Sequence, residues 1–294
     1  EGGFVMAGYT NSYRADEDIY VLKVDDTGGL VWEWTYGGSG FEFATSAITT
    51  PDGGILVAGL VVDSVFSEQL YLTKLDASGN SIWAKSYGGP TGELAMSVAA
   101  TSDGGYIAAG QTINYVAGFR AIYLVKTDSL GDSMWTRTYD SGFYGRAVTP
   151  TDDGGYILVG KTRMSHHTNE DLYVVKTDSI GDTVWTRFFG DGDNSFGTAV
   201  MQTDDGGYVV AGTLAQRDRV EDACLIKLDA TGATLWSRVF GGADLDYGQS
   251  MVACSDGGYI VVGGSDSFQN DGCWRYDVYL IKTDAEGYSH QLTK

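Results

Sequence analysis

The sequence predicts an all-β repeat fold, and three observations carry that prediction. A near-copy of Asp-Gly-Gly-Tyr keeps returning, with its second glycine at positions 3, 54, 105, 155, 207 and 258. The intervals are 51, 51, 50, 52 and 51 residues, a period regular enough to mean one structural unit per repeat. Within each period the chain shows four short runs rich in Val, Ile, Tyr, Trp and Thr, bounded by Gly/Asp clusters, and no sustained helical period. Four short strands in about 51 residues make one blade of a β-propeller, in which radial repetition protects the strand edges. The expectation is one domain over residues 1–294, with six blades of four antiparallel strands, marked by glycine pairs at 2–3, 53–54, 104–105, 154–155, 206–207 and 257–258.

The fourth unit shows the strands most clearly: "YGRAVTPT", "GGYILVGKT", "DLYVVKTD" and "TVWTRFFG". By analogy with other propellers, the run before each Asp-Gly-Gly is the inner strand a and the run after it is b. The Lys-bearing run is c and the Trp-bearing run is the outer strand d. Small residues begin the inner strands (Ala44, Ala95, Gly145, Gly197 and Gly248), as a narrowing channel would require. The first unit starts at b and the last degenerates after c, so a segment of a longer chain that supplies the missing strands is an alternative expectation.

The repeats, once aligned, resemble "DGGYIVAG…DVYLIKTD…WTKTYGG", a unit of large secreted or cell-surface proteins of bacteria and archaea. The resemblance rests on Asp256–Gly263, Asp277–Asp284, Trp135–Tyr139 and Trp83–Gly89, and extends over essentially the whole chain. It implies a propeller and an extracellular or cell-surface location, and it brings no catalytic motif to carry over.

Composition narrows the function. A formal charge of −20 argues against nucleic-acid and anionic-membrane partners, which need a basic surface. No apolar run approaches the ~18 residues of a membrane span. Three cysteines, Cys224, Cys254 and Cys273, are too few for a disulfide framework and lack zinc spacing; they read as buried thiols with one bridge at most. No nucleophile elbow or HExxH is present.

Every unit has Lys-x-Asp on strand c: Lys23/Asp25, Lys74/Asp76, Lys126/Asp128, Lys176/Asp178, Lys227/Asp229 and Lys282/Asp284. A reaction rarely needs one lysine six times, so the pair reads as structural, each lysine held by its own Asp or by the Asp of Asp-Gly-Gly. Trp32, Trp83, Trp135, Trp185 and Trp236 read as wedges between blades in preference to a sugar platform. "TDSLGD" and "TDSIGD" read as c–d turns with a bulge, being too short for an EF-hand.

Candidate functional residues lie elsewhere. The b–c segments are the least repetitive, and they share one edge of the blades with the d–a connections. They display Tyr13, Arg14, Tyr115, Phe119, Arg120, Arg163, His166, Trp274 and Arg275, a mixture suited to glycan or protein partners. His166 and His167 are adjacent in an extended loop and point apart, so a shared metal is not expected. At the start of the inner strands, Glu42, Glu93 and Asp246 fall at one aligned position, interrupted by Phe143 and Ser195. They would hold Ca²⁺ or another hard cation, or form the acid/base pair of a glycoside hydrolase or lyase, or cap the d–a loops. The expected function is a non-enzymatic binding or structural module at the cell surface. The alternatives are a carbohydrate-active enzyme and a subunit of a larger, self-associating surface assembly.

Overall fold

A computed structural model describes residues 2–12, 17–38, 40–62, 68–89, 92–114, 119–139, 144–162, 170–190, 194–215, 220–268 and 276–289, with only the backbone of Asn114 and Phe119. The described residues form six antiparallel sheets and no helix. In chain order the sheets contain β1 (Phe4–Thr10), β2 (Asp18–Val24) and β3 (Leu30–Tyr36); β4 (Glu42–Thr49), β5 (Ile55–Val62), β6 (Glu68–Leu75) and β7 (Ser81–Tyr87); β8 (Gly92–Ala100), β9 (Tyr106–Asn114), β10 (Phe119–Thr127) and β11 (Ser133–Tyr139). They continue with β12 (Tyr144–Pro150), β13 (Tyr156–Thr162), β14 (Asp171–Thr177) and β15 (Thr183–Phe189); β16 (Phe196–Gln202), β17 (Tyr208–Ala215), β18 (Glu221–Leu228) and β19 (Thr234–Phe240); and β20 (Asp246–Ala253), β21 (Tyr259–Ser265) and β22 (Asp277–Lys282). Each sheet is a meander in the order a-b-c-d. The first lacks a and the last lacks d among the described residues, as the sequence predicts.

The backbone groups into two compact units, Glu1–Asp140 and Ser141–Lys294, each holding three sheets. Inside each unit the sheets pack face to face and bury the alternating apolar residues of strands b and c. Leu56, Leu70 and Leu72 meet Val98, Ala108 and Val125 in the first unit. In the second unit Val159, Leu172 and Val174 meet Val200, Val210 and Ile226. Burying such side chains contributes roughly 1.5–3 kcal/mol each before entropy is charged against it.

The Asp-Gly-Gly turn has a division of labour between its two glycines. In the five Asp-Gly-Gly copies only the first adopts positive φ, 79° at Gly53, 83° at Gly104, 79° at Gly154, 76° at Gly206 and 83° at Gly257, whereas in the variant pair Gly2-Gly3 it is the second, at 125°. The sequence suggests that both would. The second glycine instead admits strand c, since a Cβ on Gly54, Gly105, Gly155, Gly207 or Gly258 would strike the lysine Nζ and the carbonyl of the following residue.

The small residues at the inner-strand starts sit beside β-bulges. The register shifts between Ala44 and Ser46, Ala95 and Ser97, Gly145 and Ala147, Gly197 and Ala199, and Gly248 and Ser250. The extra residue in each is Thr45, Met96, Arg146, Thr198 or Gln249. A bulge frees one side chain from the sheet's alternation and re-aims it. Thr45 uses that freedom to tie adjacent sheets, its hydroxyl donating to Ala95 O at 2.8 Å; Thr198 does the same to Gly248 O at 2.9 Å.

Candidate functional site

The residues that repeat are occupied by structure. Five of the six c-strand lysines reach the aspartate of their own Asp-Gly-Gly turn: Lys74 to Asp52 at 3.0 Å, Lys126 to Asp103 at 2.8 Å, Lys176 to Asp153 at 2.8 Å, Lys227 to Asp205 at 2.7 Å and Lys282 to Asp256 at 2.7 Å; the turn before Lys23 carries Glu1, outside the described residues. The nearer candidate, the Asp two residues on, is engaged otherwise. Asp25, Asp76, Asp128, Asp178, Asp229 and Asp284 each accept backbone N–H groups from residues i+2 and i+4 and close the c–d turn. That geometry, with Gly131 at φ 76° and Gly181 at φ 82°, makes "TDSLGD" and "TDSIGD" turns.

Trp83, Trp185 and Trp236 are wedges. Trp83 stands 6.1 Å from the ring of Tyr106 in the next sheet, and Trp185 stands 5.7 Å from Tyr208. Trp236 meets Tyr259 in the same way at 6.4 Å, and Trp185 donates its indole N–H to Ala230 O at 3.3 Å. These rings are half-buried against the next sheet and form no open platform.

Glu42, Glu93 and Asp246 are all buried, and each accepts a backbone N–H from four residues upstream. Gly38 donates to Glu42 at 3.3 Å, Gly89 to Glu93 at 3.2 Å and Gly242 to Asp246 at 2.7 Å. Glu93 also receives the Thr112 hydroxyl, and Asp246 that of Ser267. These are caps of the d–a loops. No group of three or more His, Cys, Asp or Glu side chains placed to hold a metal ion occurs among the described residues. Cys224 and Cys254 are free thiols, the first fully buried with its pKa pushed up by desolvation.

Most of the loop-edge candidates, Tyr13, Arg14, Tyr115, Arg163, His166, Trp274 and Arg275, lie outside the described residues, as do Cys273 and the side chain of Phe119. Arg120 is described; it is half-buried in β10, paired with Ile113 of β9.

The structure shows a cavity that these expectations did not contain. It lies in the second unit at the edge shared by the d–a and b–c connections, with a volume of about 250 Å³, and is lined in part by Arg146, Phe196, Glu221, Tyr247, Gln249 and Tyr276. Arg146 and Gln249 are the bulged residues of β12 and β20. The Arg146 guanidinium lies over the Phe196 ring at 5.4 Å, and its Nε is buried without a hydrogen-bond partner. Burial pushes the Arg146 pKa below its ordinary value, with the charge of Glu170 pulling the other way. Tyr247 meets Tyr276 edge to face at 5.2 Å. Its ring lies where a side chain on Gly264 would be, since a Cβ there would come within 2.7 Å of the phenol. Sequence signals for the site exist in the aligned columns. The bulge column reads Thr, Met, Arg, Thr, Gln, so Arg146 is its single base, and Gly264 stands where other units carry Tyr9, Leu60, Gln111, Lys161 and Thr213.

No family model and no curated protein matches the chain. Solved structures do. A protein of unknown function from Bacteroides caccae aligns with a TM-score of 0.58 at 13% identity, over 98% of this chain and 92% of that one. The WD40 domain of Neurospora crassa Pan2 aligns with a TM-score of 0.56 at 10% identity, over 91% and 75%. A puromycin hydrolase aligns at 0.51 and 13% identity over 99% of this chain, which spans about half, 53%, of that protein. At these identities the likeness shows fold alone. With the six antiparallel sheets, it makes this chain a β-propeller repeat protein.

Proposed function

We propose that the chain is a non-enzymatic, secreted or cell-surface propeller of six blades, one domain over residues 1–294, that holds a glycan or protein at the d–a/b–c edge. One observation carries the reading. The recurrent Lys, Asp and Trp residues are engaged in turns and sheet packing, whereas the cavity brings together Arg146, Gln249 and Tyr276, three residues that depart from their repeat columns, beside Phe196, Tyr247 and Glu221, which keep theirs. A rigid repetitive scaffold with irregular residues at one edge is a common way of presenting a binding surface. The net charge of −20 supports partners other than nucleic acid. Export rests on the repeat resemblance.

The backbone caps made by Glu42, Glu93 and Asp246 favour this reading over a glycoside hydrolase or lyase, whose acid/base carboxylates must face substrate. A Ca²⁺ ion at these residues would share carboxylates that already hold those caps. The assembly reading draws on β22, where Val278 is 84% exposed and Leu280 54%. Size-exclusion chromatography with light scattering separates a monomer from a self-associated form.

The test is a glycan array with the full chain, paired with activity assays on the polysaccharides that bind. Saturable binding without turnover is the expected result. Turnover abolished by Glu42→Gln or Glu93→Gln in a folded protein would overturn the proposal.

A further inference from the structure

We propose that the Arg146 cavity binds a sugar acid, with Arg146 receiving the ligand's carboxylate. The inference rests on the binding-module reading and names the chemistry of its ligand. Other bases with described surroundings have polar partners: Lys74, Lys126, Lys176, Lys227 and Lys282 pair with turn aspartates, Lys85 with Asp132, and Lys161 with Glu170. Arg187 donates to Gly232 O and Thr231 O at 2.8 and 2.7 Å. Arg146 stacks on Phe196 and leaves Nε unbonded. Arg238 also leaves Nε unbonded and stacks on Trp236 and Tyr288, so what distinguishes Arg146 is that it does so in the lining of a cavity. The planar fork of arginine matches a carboxylate in a two-bond geometry.

The rest of the lining selects among anions. Glu221 borders the same cavity and repels any anion, the doubly charged sulfate more strongly than a single carboxylate. It accepts hydrogen bonds from hydroxyl groups, and Gln249 both donates and accepts. Tyr247 and Tyr276 provide apolar ring surface for the C–H face of a sugar. A volume of about 250 Å³ is just below the range of roughly 300–1,000 Å³ for small-molecule sites, which suits one sugar ring and not an extended chain. A carboxylate at one end, hydroxyls around a ring and no need for a cationic group describe a uronate.

Isothermal titration of the full chain with D-glucuronate, D-galacturonate, D-glucose, D-galactose, sulfate and L-alanine tests the proposal. A uronate should bind, with the matching neutral sugar weaker by about tenfold or more, the worth of one charge-assisted bond. Arg146→Gln should remove that difference and Arg146→Lys should restore part of it, with thermal melts confirming that both variants fold. Equal binding of uronate and neutral sugar would overturn the carboxylate assignment and leave the module reading intact. Sulfate binding as tight as uronate would show a bare anion site, and tighter L-alanine binding would show an amino-acid site; either overturns the sugar-acid assignment. Binding of none of these ligands would overturn it too, while the glycan array decides the module reading separately.

Discussion

Lys126 Nζ lies 2.8 Å from Asp103 Oδ2, and the two side chains differ sharply in exposure, 3% for the lysine and 52% for the aspartate. The ammonium also donates to Thr127 O at 2.8 Å, so its burial depends on one exposed carboxylate and one carbonyl. Removing the carboxylate leaves a buried charge under-satisfied, whereas removing the lysine leaves a carboxylate that water reaches. Asp103→Ala should therefore cost about 1–3 kcal/mol, and Lys126→Met distinctly less. Urea unfolding of both and of the double variant checks this. Equal or reversed costs would show that the pair does not hold strand c.

The same pairs set the acid response. Asp52, held first by the Thr50 hydroxyl and then by Lys74, has its pKa lowered to about 2, and Asp205, held by Lys227 and Thr203, is also lowered to about 2. At Asp103 and Asp153 burial opposes the shift, but the lysine, threonine and backbone donors outweigh it and the values again fall to about 2. The unfolded carboxyl titrates near 3.9, above the folded value, so these groups stabilise the fold fully above that pH and lose their contribution as pH falls toward about 2. Urea midpoints should stay level from pH 7 to about 5 and fall steeply between about 4 and 2. Asp103→Asn should flatten that fall, and an unchanged profile would remove these carboxylates from the acid transition.

Much of the fold is legible in the sequence because each strand must return to the same place every period. Lys and Trp columns mark c and d, and Asp-Gly-Gly marks the a–b turn. What spacing alone leaves open is which Asp holds each lysine. Asp128 accepts the Leu130 and Asp132 N–H groups of its own turn and leaves Lys126 to Asp103, and no residue count shows that. The role of the second glycine is hidden for a similar reason, since it follows from how closely Thr127 O and Lys126 Nζ approach Gly105. The cavity is less legible in the sequence. Arg146 looks like one base in a strand until the five inner strands are set in register and the bulge column singles it out. The b–c segments obey no period, so the sequence offers no geometric rule for placing Tyr13, His166 or Trp274.

A matched pair of glycines tests the tryptophan wedge. Gly104 has φ 83° with open space around its Cβ position, and Gly131 has φ 76° with Trp83 ring carbons 2.8–3.0 Å away. Both alanine variants carry the left-handed backbone penalty of about 1–2 kcal/mol. Only Gly131→Ala must also displace the indole, which adds about 1–3 kcal/mol of overpacking. Denaturation midpoints at unchanged m-value give the difference. Equal losses would mean that Trp83 yields freely and is not wedged against the next sheet.

Glu93 distinguishes a cap from a catalyst. Its Oε1 receives the Thr112 hydroxyl at 3.0 Å and its Oε2 the Gly89 N–H at 3.2 Å, with the residue only 3% exposed. Glu93→Ala strands both donors and should cost about 1–3 kcal/mol. Glu93→Gln keeps one carbonyl acceptor but presents an NH₂ to the other donor, so it should fall between wild type and alanine. A cap acts through stability alone, so both variants should keep the wild-type Kd for the module's ligand at temperatures where they are folded. A catalytic acid or base gives the opposite pattern, with activity lost in Glu93→Gln at nearly full stability. The order of the two variants in unfolding, set beside their ligand affinities, separates the two roles without knowledge of the natural substrate.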